Sequence, residues 1–374
     1  MTLLTGFSSA PTWMRGPAWR RSDSRVEELF SGAPILEAIQ LAEHAGFDVA
    51  FRPDALTLPL ASVGGDPAQL GLDPIVQTAR LALATERITL VPTVSATFTE
   101  PYPLARQLVS LEHLAPGRIG WNVVTSRSGD EQFSVSRLPD SASRWRRAEE
   151  LVDAVESLRA GFPASAMVCD RDSGRLVALD RVRPSDHVGA NFRVAGPLPL
   201  PVPTAGATAA PHRLPLFVAG GGAPTISFAG RRAEAMFAAA VSAETGTALR
   251  SALHREAAAA ARPEPPRLLP GLSLLLADTR AQAAEIAHTL AIGAPGRPPG
   301  GPHWSVIGTA EDAARAISAR AAEGTIDGFI AFPIGSWRSA ELVCTALMPL
   351  LRDLGLLPDL PDPAPFRSRQ EPHP

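Results

Sequence analysis

The sequence predicts an α/β protein with a (β/α)8 barrel, the TIM barrel, carrying insertions. Short apolar runs alternate with amphipathic stretches along most of the chain, which favours repeated βα units and a parallel sheet. About eight such runs are present, and an open doubly wound sheet usually has fewer strands. The length of 374 residues suits one such domain, because barrels of about 250 residues commonly carry insertions.

The amino-terminal half supplies four strands and four helices. The predicted strands are Leu3–Gly6, Val49–Arg52, Ile88–Thr93 and Arg118–Val124. The predicted helices, which show apolar residues at helical spacing, are Pro34–Gly46, Asp73–Thr85, Pro101–Leu114 and Ala142–Ala160. Asp73–Thr85 opens on an Asp-Pro pair and Pro101–Leu114 on a proline, and both are helix-start signals.

The carboxyl-terminal half continues the alternation. Its predicted strands are Leu214–Ala219, Ala235–Ala239, Leu268–Ala277 and Gly328–Phe332. Its predicted helices are Pro224–Arg232, Ser242–Ala261, Arg280–Ala291, Glu311–Glu323 and Ser339–Leu354.

We interpret residues 1–358 as one barrel domain with two interruptions. The stretch 161–213 contains many prolines and short β-like runs, which predicts an insertion bearing a hairpin. The stretch 292–308 is rich in proline and glycine and predicts a mobile loop. Residues 359–374 are proline-rich and predict a surface tail.

Composition excludes several functional classes. A net charge of −3 and a pI near 6.3 argue against a nucleic-acid partner. No apolar run approaches the ~20 residues that span a bilayer, and no secretory signal is evident, so we expect a cytoplasmic protein. The histidines form no metal-binding motif, so no metal site is predicted; only His303, beside Trp304, falls where a functional role is plausible.

Polar groups gather where the predicted strands end, which is where barrel enzymes place their active sites. Asp54 follows the second strand, Thr97 the third, and Asn122 lies on the fourth. Hydroxyl and amide groups suit a hydrogen-bonded cofactor pocket, although such hydroxyls also satisfy loop backbone. The turn holding Gly221 and Gly222 would let backbone N–H groups approach a phosphate; a tight turn packed against the sheet is the alternative.

A family resemblance rests on residues 93–126, TVSATFTEPYPLARQLVSLEHLAPGRIGWNVVTS. This run closely resembles the flavin-dependent monooxygenases of the bacterial-luciferase-like superfamily, in the branch of nitrilotriacetate monooxygenase component A and dibenzothiophene-sulfone monooxygenase. Further matching segments are GFDVAFRPD, RWRRAEELVDAVESL, LFVAGGGAPTISFAGRRAEAMF and DGFIAFP. The resemblance covers most of the chain from about Gly46 to Leu354.

The resemblance implies a luciferase-like TIM barrel that uses FMN as FMNH2, together with O2. It implies a separate NAD(P)H:flavin reductase and a homodimer or homotetramer. The reaction would oxygenate a small or medium organic substrate by C–N or C–S cleavage, Baeyer–Villiger or related chemistry. Position by position, Asp54 matches the acidic residue after the second strand, Thr97 a flavin-contacting hydroxyl, and Asn122 the amide near the flavin ring. Asp54 and Asn122 are the catalytic candidates that this implies.

Three departures from the family pattern concern the flavin site. Ser141 and Trp145 stand where the family usually has a histidine and a tyrosine. Gly221 and Gly222 replace two serines that bind the flavin phosphate, and Thr225-Ile226 replaces a Gly-Arg pair. The loop before Gly308 is also shorter than in the family.

These departures leave alternatives open. Backbone amides of the glycine run could replace the lost contacts, with charge from Arg144, Arg146 or Arg231. Alternatively, the barrel has lost flavin and acts as a non-catalytic subunit or as a cofactor-free enzyme. A third interpretation, a deazaflavin (F420) oxidoreductase, is disfavoured by the WNVVTS segment.

Overall fold

The computed structural model describes residues 2–67, 70–134, 137–204, 213–292 and 303–359. Within them the strands are β1 Leu4–Ser8, β2 Val49–Arg52, β3 Thr89–Ser95, β4 Trp121–Val124, β5 Met167–Asp170, β6 Arg175–Val177, β7 His187–Val188, β8 Arg193–Val194, β9 Leu216–Ala219, β10 Ala235–Ala238, β11 Arg267–Leu276, β12 Trp304–Gly308 and β13 Gly328–Pro333. The helices are α1 Ala33–His44, α2 Leu60–Val63, α3 Pro74–Ala82, α4 Pro101–Leu114, α5 Ser141–Ala160, α6 Ala223–Arg232, α7 Ala243–Ala259, α8 Arg280–Thr289, α9 Ala310–Ala322, α10 Trp337–Leu342 and α11 Met348–Asp353.

Eight parallel strands close into a barrel. The order around the ring is β1-β2-β3-β4-β9-β10-β11-β13, and β13 pairs back to β1. The predicted (β/α)8 fold is therefore confirmed, and the eight ring strands are the eight that the apolar runs predicted.

The barrel strands show why short apolar runs predict them. Side chains alternate between the two faces of a strand, so Val49 and Phe51 of β2 point into the barrel while Ala50 packs outward against the helices. Both faces are buried, which leaves little room for polar residues. The inner cluster consists of Leu4, Val49, Phe51, Val91, Phe217, Ala235, Leu269, Ile330 and Phe332.

Strand β11 has ten residues, and on one edge it pairs with two different strands, one after the other along its length. Its first part pairs with β10 and its last part with β12, which lies beside the barrel outside the ring. Residues 304–308 fall in the predicted loop 292–308, so that part of the prediction was wrong; residues 293–302 lie outside the described residues. Trp304, Val306 and Ile307 have high β-propensity, but the flanking glycines and prolines obscured the short run.

The insertion after α5 carries two antiparallel pairs, β5 with β6 and β7 with β8. The turn in the first pair is closed by Asp170, whose Oδ1 accepts the backbone N–H groups of Asp172 and Ser173 at 3.0 and 3.2 Å. A hairpin-bearing insertion was predicted here, and residues 161–204 have this form.

The last predicted helix, Ser339–Leu354, is interrupted. It consists of α10, a π-helical turn at Val343–Leu347 and α11. Ser336 caps α10 by accepting the Ser339 N–H at 3.1 Å, which explains a start two residues earlier than predicted. No helix in the described residues is both long and apolar enough to cross a bilayer. The predicted tail lies outside the description from residue 360 onward.

Candidate active site

Two neighbouring cavities open at the carboxyl ends of the barrel strands. The first, which we call the aromatic cavity, encloses about 180 Å³, and its lining includes the rings of Phe51, Phe237, His303 and Phe332. The second, the polar cavity, encloses about 260 Å³ and is lined by Asp54, Ala55, Leu56, Thr57, Ser95, Val124, Ser126, Arg127 and Ser128. Asp54 and Ala55 line both cavities, so the loop after β2 forms their common border.

Four rings converge on the aromatic cavity from distant parts of the chain. His303 stacks on Phe332 with ring centroids 4.9 Å apart and planes 10° from parallel. Phe237 lies 5.5 Å from His303 and 5.8 Å from both Phe332 and Phe51. Phe51, Phe237 and Phe332 stand near the carboxyl ends of β2, β10 and β13, and together these rings form a continuous aromatic wall.

His303 is uncharged at neutral pH. Burial among the rings lowers the pKa of its imidazole from 6.5 to about 4, and the positive charge of Arg15 adds to the effect. Its Nδ1 is buried and has no hydrogen-bond partner among the described residues. The ring therefore acts at this wall as a neutral aromatic group.

Arg52 is a buried cation in the lining of the aromatic cavity. Its Nη2 donates to the Leu72 carbonyl at 2.8 Å, while its Nε is buried and has no partner within the described parts of the chain. Desolvation lowers the pKa of this guanidinium, and Asp54 and Asp73 oppose that effect.

Asp54 stands exposed at the border of the two cavities. Partial desolvation by the surrounding loops raises the pKa of its carboxyl above 3.8, opposed by the Ala55 N–H, which donates to Oδ1 at 2.9 Å. The charge of Asp73 raises this pKa further, whereas Arg52 lowers it. The predicted site residue thus faces both cavities.

Asn122 lies one layer below the polar cavity. It comes two residues before Val124 on β4, and Thr93 comes two before Ser95 on β3, so both share the face of the lining residues above them. Asn122 is 1% exposed, and its Nδ2 donates to Thr93 Oγ1 at 2.8 Å. Its Oδ1 is buried without a partner among the described residues, which leaves one acceptor free.

The hydroxyls above Asn122 tie the loops after β3 and β4 together. Ser95 Oγ and Ser126 Oγ are 2.6 Å apart, and Thr97 Oγ1 accepts the Ser126 N–H at 3.1 Å. Thr97 is therefore buried, and its hydroxyl binds a backbone N–H of the loop after β4. Holding loop backbone in this way is a common structural role of threonine.

Gly221 and Gly222 lead into α6. Gly222 is the residue before the helix, and no side chain caps the first backbone N–H groups. A Cβ placed on Gly221 would meet nothing within 4 Å, so the approach to this helix terminus is open. An uncapped helix amino terminus favours an anion, since its N–H groups and dipole both point outward.

Of the three arginines proposed to supply charge here, Arg144 and Arg146 form no ion pair with a described residue, and each donates one hydrogen bond. Arg231 is paired with Glu149, and Arg146 donates to Ser143 Oγ at 2.7 Å. Arg144 donates to a carbonyl in the preceding turn, but its Nε is buried without a partner in the described chain.

Ser141 and Trp145 line neither the aromatic cavity nor the polar cavity. Ser141 is the exposed first residue of α5, whose cap is Asp140. Trp145 is 5% exposed and packs against Phe228 of α6 with centroids 4.9 Å apart. The predicted contact of Ser141 and Trp145 with a cofactor stays a prediction.

Sequence reasoning missed the aromatic wall. Its phenylalanines look like ordinary core residues when considered singly, and they are far apart along the chain. The signal that could have found them is positional, because each stands within two residues of the end of a barrel strand. In the described residues no three His, Cys, Asp or Glu side chains converge as metal ligands would.

Known proteins resemble this chain in sequence and fold. The family model described as luciferase-like monooxygenase matches residues 14–333. The chain is 32% identical to nitrilotriacetate monooxygenase component A of Aminobacter aminovorans over 280 residues, which are 71% of this chain and 60% of that protein. It is 31% identical to dibenzothiophene-sulfone monooxygenase of Rhodococcus erythropolis over 297 residues, 75% of this chain and 63% of that one. The chain thus spans about three fifths of the length of these curated relatives.

Among solved structures, the EDTA monooxygenase from Chelativorans sp. BNC1 superposes with a TM-score of 0.82. The superposition covers 99% of this chain and 98% of that one at 22% identity, and it shows the shared fold. With the family model matching most of the chain, the barrel and the sequence agree: this chain belongs to the luciferase-like monooxygenase family.

Proposed function

We propose that this chain is the oxygenating component of a two-component flavin-dependent monooxygenase that uses FMNH2 and O2. A separate NAD(P)H:flavin reductase would supply the reduced flavin, and the chain would assemble as a homodimer or homotetramer. The observation that carries the proposal is the free Oδ1 of Asn122, a buried acceptor beneath a cavity at the carboxyl ends of β3 and β4. A buried unpaired acceptor is costly unless a ligand supplies a donor, and a flavin ring carries such an N–H group.

Residues below the polar cavity and at the start of α6 would hold the two ends of a flavin mononucleotide. Asn122 would hold the ring through Oδ1, while Thr93 fixes the amide by accepting from Nδ2. The open N–H groups after Gly221 and Gly222, with Arg144, would hold the phosphate. When bound, reduced flavin would supply the two electrons for a reaction in which one atom of O2 passes to the substrate and the other leaves as water.

The aromatic cavity is the proposed place for the substrate. It adjoins the polar cavity at Asp54, and its wall of rings keeps water away from the reacting groups. Asp54 lines both cavities, so we assign it to positioning the flavin or the substrate.

A second candidate function follows from the glycine run. Gly221 and Gly222 offer no hydroxyl at the α6 terminus, where side-chain contacts would strengthen phosphate binding. A barrel that no longer binds flavin would be a non-catalytic subunit or a cofactor-free enzyme.

Anaerobic titration with photoreduced FMN, followed by mixing with air, tests the two candidates. We expect saturable binding and protein-dependent kinetics of flavin reoxidation. Asn122→Ala should weaken binding at least tenfold with an unchanged circular dichroism spectrum, because the loss of one buried hydrogen bond corresponds to about 1.4 kcal/mol. Asn191→Ala, the same substitution in the insertion, should leave the affinity within twofold.

Two results would overturn the proposal. Absence of binding up to millimolar FMNH2 would favour the second candidate. Equal FMNH2 affinity in the wild type and in Asn122→Ala would show that the free amide oxygen does not contact the flavin.

A further inference from the structure

The aromatic cavity has the dimensions of one small ring. It encloses about 180 Å³, and a cavity of about 150 Å³ is enough to hold benzene. A ring with one small substituent would therefore fill it. Asp54 and Ala55 line both cavities, so a larger substituent would project past them toward the polar cavity.

The wall favours a flat unsaturated ligand over an aliphatic one. Each of the four rings, Phe51, Phe237, His303 and Phe332, has its centroid 4.9 to 5.8 Å from that of at least one other, and the imidazole among them is uncharged. Aromatic pairs prefer offset-stacked or edge-to-face packing at these separations, which an added aromatic ring can continue.

The charge of the lining is positive. Arg15 lines the cavity and lies close enough to lower the pKa of His303, and its side chain makes no hydrogen bond or ion pair with any described residue. Arg52 lines it as well, is 7% exposed, and has no carboxylate within ion-pair distance in the described chain. Among the described residues of the lining Asp54 is the only acid, so two guanidinium groups and one carboxylate line this cavity.

We infer that the aromatic cavity binds a single-ring aromatic anion, such as an aromatic carboxylate or sulfonate, with its ring against His303 and Phe332 and its anionic group at Arg15. This inference rests on the proposed function where it calls that anion the substrate. The guanidinium of Arg15 is exposed at the rim and free to pair with the anion.

Asp54 sets the direction in which the anion lies. Its carboxylate would repel an anionic group at the border with the polar cavity, so the charged end is held at Arg15. The uncharged end of the ring is then the part that meets the polar cavity, where the flavin is proposed to lie. Oxygenation would therefore take place on the ring or on a substituent remote from the anionic group.

Isothermal titration calorimetry tests the inference by measuring the affinity of the intact chain for benzoate and for benzamide, with and without FMN. The two probes share the ring and the shape of the substituent and differ in charge. We expect benzoate to bind at least tenfold more tightly than benzamide. Cyclohexanecarboxylate, which keeps the charge and loses the flat ring, should bind at least fivefold more weakly than benzoate.

The variant Arg15→Gln should reduce benzoate affinity at least fivefold and leave benzamide affinity within twofold. Arg20→Gln is the matched control, because Arg20 is also exposed, lies five residues away and does not line the cavity; it should change neither affinity. Equal affinity for benzoate and benzamide, an Arg15→Gln variant with unchanged benzoate affinity, or no binding below 10 mM would each overturn the inference.

The same titrations separate this inference from the proposed function. Benzoate binding that depends on Arg15 in a chain that fails to bind FMNH2 would keep the anion site and refute the flavin role. Tight FMNH2 binding without discrimination between benzoate and benzamide would keep the flavin role and refute the anion site.

Discussion

The two cavities at the barrel mouth are built by opposite means. The walls of the aromatic cavity are rings from β2, β10, β13 and the residue before β12, which pack against one another and enclose about 180 Å³. The walls of the polar cavity are fixed by hydrogen bonds between the ends of β3 and β4 and the loops that follow them. Below this cavity lies a buried acceptor, Asn122 Oδ1, that has no partner among the described residues. We therefore expect ring shape and the charge of Arg15 to select the ligand of the aromatic cavity, and hydrogen bonding to select the ligand of the polar cavity.

Phe332→Ala should have the largest effect on stability. The side chain is 7% exposed and packs against His303 and Phe237, so its loss should lower the free energy of unfolding by about 3–5 kcal/mol in urea titrations. Phe332→Leu should cost less than half as much. Because Phe332 does not line the polar cavity, FMNH2 affinity should stay within twofold; a tenfold loss would mean that the two cavities are not independent.

The buried imidazole of His303 gives the aromatic cavity a pH signature. Its folded pKa of about 4 lies below the ordinary 6.5, so the unfolded chain binds more protons between these values. This contribution to stability is complete above pH 6.5 and is lost as the pH falls toward 4, by up to about 3 kcal/mol.

Unfolding curves from pH 7 to pH 4 measure this loss. The slope with pH should flatten in His303→Phe and persist in His44→Gln, which removes an exposed histidine instead. An unchanged slope in His303→Phe would show that this ring does not carry the effect.

Thr93→Val should have the smallest effect on folding and a clear one on binding. The substitution keeps the shape but leaves Asn122 Nδ2 unpaired, which should cost about 2 kcal/mol of unfolding free energy. FMNH2 affinity should fall as well, because the amide loses its fixed orientation. Thr93→Ser keeps the hydroxyl and should retain the affinity. A Thr93→Val loss as large as that of Phe332→Ala would break the contrast between the cavities.

The fold could be predicted because its strands obey a local rule. A barrel strand buried on both faces is a short apolar run, and each of the eight runs became a ring strand, with bounds that shift by a few residues. Strand β12 escaped because its five residues follow a Pro- and Gly-rich stretch. The π-helical turn at Val343–Leu347 escaped because its apolar pattern is that of any buried helix.

The site could be predicted only in part, because its residues meet through the ring and not along the chain. Asp54 and Asn122 were identified at strand ends, but the free Oδ1 of Asn122 depends on where Thr93 lies across the strand pair. The aromatic cavity depends on Phe51, Phe237 and His303, which are separated by 186 and 66 positions in the sequence and carry no motif.

The pairing of strand β11 allows the connection before β12 to change in length without opening the barrel. The ring closes through its pairs with β10 and β13, and β12 attaches alongside without taking part in closure. The connection between α8 and β12 can therefore change in length during evolution while the barrel stays shut. His303 directly precedes β12 and lines the aromatic cavity, so a change in that connection would alter this cavity before it altered the barrel. Ligand preference can therefore diverge between relatives that keep the same barrel.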